Sequence, residues 1–371
     1  MNRLRPYPPS LALLLAVFFH FCLQPLAGAS QRKISTDTRL VLSWEYDDNV
    51  FEDNSGKVDG GAGSTSLFSR LRLSYPASIT QIDYQLGYKA HHRLSDADSL
   101  TAGDVLVQRI VADSERRISP GWTAGAGGEV KLRNIYRKNE LNLLSEEGYV
   151  RGSGRLYART AAGNLGRLTL SYRYSFCNFE TFHNFDYSAH SPALQLSRRL
   201  APNLVGSAGY SYARRGYERL INIPDGSGGL AQVDRQQRDN FHQFELNAAW
   251  SRGLLLSFSW ALQRNLSNNY GFSYWNNRFS LLFTDRLPLG FFLNAYLFFE
   301  IKRYSDRVAQ PILVEIITEE NDNNGAILKL SRDITKSLEA SLTASLYRNE
   351  SSIRELNFHK SLVNFGLTRR F

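Results

Sequence analysis

Apolar and polar residues alternate with a period of two along most of this chain, which makes strands rather than helices its building unit. "TRLVLSWEY" sets Leu40, Leu42, Trp44 and Tyr46 on one side and Arg39, Val41, Ser43 and Glu45 on the other. "LFSRLRLSY" sets Leu67, Leu71, Leu73 and Tyr75 against Arg70, Arg72 and Ser74. "LTLSYRYSF", "LLLSFSWAL", "FFLNAYLFFEI" and "LEASLTASL" repeat the pattern. Successive side chains of a strand point to opposite faces, so each segment has one apolar face and one small, polar or charged face. The pattern predicts about sixteen strands, at roughly 35-46, 64-75, 79-92, 103-113, 120-133, 148-161, 166-177, 189-200, 203-215, 239-250, 254-265, 274-285, 290-304, 324-333, 337-348 and 357-371. The fourth run, "DVLVQRIVADS", is the least regular, because neither register gives it a clean face.

The connections select the architecture. Short ones ("PAS", "SPG", "AGNLG", "APN", "SRG", "DRLPLG", "ITK") alternate with long ones such as "DDNVFEDNSGKVDGGAG", "RRGYERLINIPDGSGGLAQVDRQQRD" and "YSDRVAQPILVEIITEEND". Short turns on one rim and long loops on the other are what a transmembrane antiparallel β-barrel requires. In lipid every backbone N–H and C=O must be paired, and closing the sheet removes its edges. A soluble sandwich would use shorter strands and hide its apolar faces between two sheets.

The first 29 residues read as a secretory signal: Arg3 and Arg5, an apolar run from Leu11 to Leu23, then Ala27-Gly28-Ala29. The expected organisation is therefore a signal at 1-29 and a single barrel over 30-371, placed in a bacterial outer membrane. Removing Arg3 and Arg5 from 44 basic residues leaves 42 against 35 acids, a net charge of +7. Cys177 would then be the one cysteine left, so no internal disulfide can form. That basic excess has no zinc-ligand spacing, phosphate loop or basic helix beside it, so nucleic acid is not an expected partner. The expected partners are outer-membrane lipids, the outer-membrane assembly machinery and an export complex or a protein held in the lumen.

With the apolar faces turned to lipid, the other faces form a luminal wall rich in bases. Arg39, Arg70, Arg72, Lys89, Arg133, Arg151, Arg155, Arg159, Arg167, Arg173 and Arg278 are its candidate anion contacts, against the acids Glu45, Asp83, Glu129, Glu245, Glu300 and Glu339. Arg151, Arg155 and Arg159 stand four apart on one face, which makes a column along the wall. Rings of Arg and Lys favour anions, whereas luminal arginines that pair with Glu and Tyr would only fill the barrel. No catalytic residue, cofactor or metal site is expected. His91 and His92 are adjacent and point oppositely, so they cannot converge on one metal or proton. "ENDNNG" from Glu320 imitates half a calcium loop, but Ser331 stands where the bidentate Glu belongs.

"EYDDNVF" at Glu45 to Phe51 resembles the opening strand of the β-barrel porin 2 type associated with exopolysaccharide export systems. The closing "YRNESSIRELNFHKSLVNFGLTRRF" from Tyr347 is similar to that group's final hairpin. It also resembles the barrel domain of surface lipoprotein assembly modifiers, whose helical-repeat domain is absent from this sequence. Together with the basic wall, these resemblances imply a conduit for anionic solute or exopolysaccharide. The alternative they leave open is a non-conducting scaffold around a surface lipoprotein or an electron-carrying cytochrome. The final alternation, with Phe365, Leu367 and Phe371 on the lipid side, resembles the signal that insertion machinery reads on a barrel's last strand. That strand is expected to pair with "TRLVLSWEY" and close the sheet.

Overall fold

The computed structural model describes residues 33-49, 59-93, 103-136, 147-227, 229-305, 324-349 and 358-371. The expected signal at 1-29, the half calcium loop at 320-323 and the last two residues of "EYDDNVF" lie outside them. Sixteen antiparallel strands close into one barrel in which each strand pairs with its sequence neighbours and the last pairs with the first. They are β1 (Lys33–Asp47), β2 (Gly60–Tyr75), β3 (Ser78–Arg93), β4 (Asp104–Ser119), β5 (Trp122–Tyr136), β6 (Tyr149–Ala161), β7 (Arg167–Phe179) and β8 (Tyr187–Ala201). The second half comprises β9 (Leu204–Pro224), β10 (Leu230–Arg252), β11 (Leu254–Ser267), β12 (Tyr274–Arg286), β13 (Phe291–Tyr304), β14 (Asn324–Asp333), β15 (Leu338–Asn349) and β16 (Phe358–Arg370).

The seam closes as the alternation predicts. Leu42 faces Leu367 and Trp44 faces Phe365 across β1 and β16, and the Phe371 amide donates to the Thr38 carbonyl at 3.0 Å. Leu42, Trp44, Val363, Phe365 and Phe371 are all exposed. In water so many bare apolar side chains would be unstable; around a closed sheet with no free edge they are the lipid-facing belt. This is a transmembrane barrel of the bacterial outer-membrane kind. The rim that carries Lys33 and Arg370 also carries the short turns, and is therefore the periplasmic one.

Two regions depart from the expected strand map. β9 and β10 run far past the membrane as a tall hairpin, so most of the expected loop "RRGYERLINIPDGSGGLAQVDRQQRD" is strand. Register shifts interrupt its ladder between Val233 and Arg238. β4 continues to Ser119 and places Arg109, Asp113 and Glu115 on the luminal side. Asp113 and Glu115 thus join the luminal acids, which are more numerous than the alternation alone indicates.

Candidate functional site: the luminal wall

Inward positions are recognised by their bonds across the barrel interior. On β6 Arg155, Tyr157 and Arg159 make such bonds, with Tyr157 between the two arginines, and Arg151 has the same parity in the ladder. Arg155 donates to Asp113 at 3.0 Å and Arg159 to Glu115 at 2.9 Å. The Tyr157 hydroxyl lies 3.0 Å from Asp113 and 3.2 Å from Glu115, and its ring lies between guanidinium carbons at 4.8 and 5.4 Å. These pairs join β6 to β4 although β5 runs between them.

The reach is possible because β5 presents glycine at the crossing points. A Cβ on Gly125 would sit 2.2 Å from the Tyr157 ring, and one on Gly127 would sit 2.5 Å from an Asp113 carboxylate oxygen. The bare backbone there lets the side chains of two non-adjacent strands meet over it. Gly125→Val is expected to displace Tyr157 and cost about 1–3 kcal/mol, by overpacking and lost hydroxyl bonds. Tyr157→Phe, which removes the hydroxyl alone, should cost only about 0.5–1.5 kcal/mol. Equilibrium unfolding in lipid vesicles measures both, and wild-type stability of the Gly125 variant would refute the crossing.

Most of the predicted anion contacts have an acid beside them. Arg70 pairs with Asp83 at 2.7 Å, Lys89 with Glu45 at 2.7 Å and Arg278 with Glu300 at 3.6 Å, while Arg39 pairs with Asp37 on its own strand. Arg109 and Glu129, 2.8 Å apart, add a pair the alternation did not mark. These groups are partly open to water, so each pair contributes only about 0–1 kcal/mol to stability. Arg133 stacks over the Tyr149 ring at 5.9 Å.

Arg72, Arg167 and Arg173 differ: no carboxylate bonds them among the described residues. Arg72 and Arg167 stand at the periplasmic end of their strands, where Arg199 on β8 is also exposed and without an ion pair among the described residues. Arg173 stands deeper, directly opposite Arg155 in the β6–β7 ladder. Like charges placed opposite one another repel, so Arg173 raises the local demand for an anion. Arg155, Arg159 and Arg173 line one side of a polar recess of about 310 Å³, with Gln195, Gln243 and Glu245 among its other lining residues. Glu245 is held by amide donors, Gln243 at 3.0 Å and Asn247 at 2.7 Å.

At the extracellular rim a second arginine cluster is packed rather than open. Arg219 lies 4.1 Å from the Phe272 ring centroid and 4.8 Å from that of Tyr217, and the 268-273 connection is tied down by Asn269 donating to Gln237 at 2.7 Å. Nothing in the alternation marked this cluster, which depends on the extension of β9 beyond the membrane. His91 bonds the Gly103 carbonyl through Nδ1 at 2.8 Å. No group of three His, Cys, Asp or Glu among the described residues is placed to hold a metal.

No family model matches the chain, and no curated protein matches it. Among solved structures it is similar to a BenF-like porin from Pseudomonas fluorescens Pf-5, at 10% identity, with 91% of this chain and 99% of that chain covered and a TM-score of 0.48. It is also similar to Pseudomonas aeruginosa OpdK with vanillate, at 10% identity, 91% and 99% coverage and a TM-score of 0.44. A third similar structure is described as a bacterial polysaccharide outer membrane secretin, at 10% identity, 90% and 98% coverage and a TM-score of 0.43.

Proposed function

We propose that the barrel is a passive conduit that favours anionic solutes, with acidic sugars or an acidic exopolysaccharide as the cargo. The observation that carries this reading is Arg173: a guanidinium with no carboxylate of its own among the described residues, set against Arg155 in a polar recess. Arg72, Arg167 and Arg199 supply the same chemistry nearer the periplasmic mouth. A carboxylate arriving from that side meets Arg72, Arg167 and Arg199 first and the Arg173 recess next. Each contact is a charge-assisted hydrogen bond in a water-filled wall, strong enough to enrich anions and too weak to hold them. The fixed pairs, Arg155 with Asp113 and Arg159 with Glu115, keep the wall rigid rather than attract cargo. The resemblance of the first and last strands to the exopolysaccharide-associated type agrees with a polymeric anion.

Planar-bilayer recording of the purified barrel tests the reading. The expected result is open conductance with anions passing more readily than cations, and a current that glucuronate oligomers interrupt more than neutral glucose oligomers of equal length. A barrel that inserts but stays electrically silent would overturn it in favour of the scaffold.

A further inference from the structure

The outer wall carries a cationic feature that the conduit does not use. Arg214 on β9, Arg264 on β11 and Arg303 on β13 are exposed and point away from the lumen, because Ser211, Gln263, Asn276 and Glu300, the luminal positions of their neighbourhood, have the opposite parity. None of the three has an ion pair among the described residues, in contrast to the paired arginines inside. The outward carboxylate that follows on β9, Glu218, stands four residues farther from the membrane.

Their height is set by the strands. Arg214 comes ten residues after Leu204, Arg264 ten after Leu254 and Arg303 twelve after Phe291, each counted from the periplasmic start of its strand. At ~3.3 Å per residue and a tilt of ~40°, that is about 25–30 Å, the upper boundary of an apolar band about 25 Å tall. The extracellular half of β1 to β7 has no outward Lys or Arg at this level among the described residues. Rings fill the strands between the arginines. His242 on β10 pairs in register with Arg264, Arg264 with Trp275 on β12, and Trp275 with Arg303. The Arg264 guanidinium lies 4.7 Å from the Trp275 ring centroid, and the Tyr210 hydroxyl lies 2.8 Å from His242 Nδ1.

We infer that this face of β9 to β13 binds the phosphorylated glycolipid of the outer leaflet, its arginines taking the phosphates and its rings the sugar and upper acyl region. A guanidinium at the hydrocarbon boundary needs an anion, and it grips phosphate with two parallel N–H donors. Arginines on alternate strands stand about 10 Å apart, two strand spacings. That separation suits two phosphates on opposite ends of a disaccharide headgroup, and a single-phosphate phospholipid cannot reach both.

Native mass spectrometry of the full-length barrel, loaded with bisphosphorylated lipid A, its dephosphorylated form or phosphatidylglycerol, tests the inference. Wild type is expected to keep lipid A adducts at collision energies that strip both other lipids. The triple variant Arg214→Gln, Arg264→Gln, Arg303→Gln should lose lipid A adducts about tenfold, while the luminal Arg173→Gln control keeps them. Should the triple variant fail to fold, the three lipids on the wild type still decide. Equal retention of lipid A by a folded triple variant, or equal retention of all three lipids by the wild type, would overturn the site.

Discussion

If the lumen favours anions as proposed, Arg173→Glu is expected to abolish that preference. The change removes one positive charge and adds one negative charge, a difference of two at the recess. For an ion passing about 8 Å away in water, each unit charge is worth about 0.5 kcal/mol, so the pair changes the anion's free energy by about 1 kcal/mol. A cation gains what the anion loses, so the anion-to-cation permeability ratio, read from reversal potentials across a salt gradient, is expected to fall about thirtyfold, the equivalent of about 2 kcal/mol. The effect should shrink as salt rises, because the screening length falls from about 10 Å at 0.1 M to about 3 Å at 1 M. Arg155→Glu is a different experiment. It would place a third carboxylate beside Asp113 and Glu115, so its effect mixes selectivity with disruption of the β4–β6 crossing. Arg173 has no such partner among the described residues, so its substitution reports the field of the lumen more directly. An unchanged reversal potential in Arg173→Glu would remove this residue from the conduction path.

The strands were legible because lipid imposes a uniform demand on one face. β14 spans Asn324–Asp333, as its alternation indicates, and β11 and β12 extend the expected bounds only slightly. Where that demand lapses, so does the signal. β9 beyond Arg215 and β10 before Asp239 rise above the membrane, where Glu218 and Gln232 on the outer face cost nothing, and the sequence there reads as loop. β4 is present but was the least legible strand, for a different reason. Its luminal face mixes Val105, Val107 and Val111 with Arg109, Asp113 and Glu115, while Gln108 and Ser114 sit outward, Ser114 sharing a 2.9 Å bond with Thr80. A lumen accepts apolar side chains as readily as polar ones, so neither register looks clean.

The same gap explains what the wall concealed. Arg155, Arg159 and Arg173 were identifiable as inward by parity alone. Which of them is paired depends on the β4–β6 reach over Gly125 and Gly127, and that is a property of the ladder register and of two missing side chains. The fixed pairs also change what the column means. Arg155 and Arg159 are tied to Asp113 and Glu115, and Arg173 is the arginine of the recess without a carboxylate bond among the described residues.

Phe365→Arg is expected to destabilise the closed barrel by about 2–4 kcal/mol, because the lipid face penalises a guanidinium most at the bilayer midplane. Phe365 stands five residues above Arg370, opposite Trp44 in the β1–β16 seam, with its ring exposed to the bilayer. Reversible unfolding in vesicles gives the value, and a cost below about 1 kcal/mol would move this residue off the lipid face. Phe371 poses a sharper question. Its ring is 69% exposed at the periplasmic rim, contacting Arg369 at 5.1 Å, and its backbone amide holds Thr38 whatever the side chain is. Phe371→Ala should therefore leave spontaneous folding into vesicles within about 1 kcal/mol of wild type, the range of a partly exposed side chain. In cells the proposed reading of Phe365, Leu367 and Phe371 by insertion machinery makes a different demand, because the ring itself is then a contact. The expected outcome is a several-fold drop in heat-modifiable barrel in the outer membrane, with the channel properties of the inserted fraction unchanged. Normal cellular insertion of Phe371→Ala would show that the closing strand acts through its ladder to β1 and not through recognition of its last side chain.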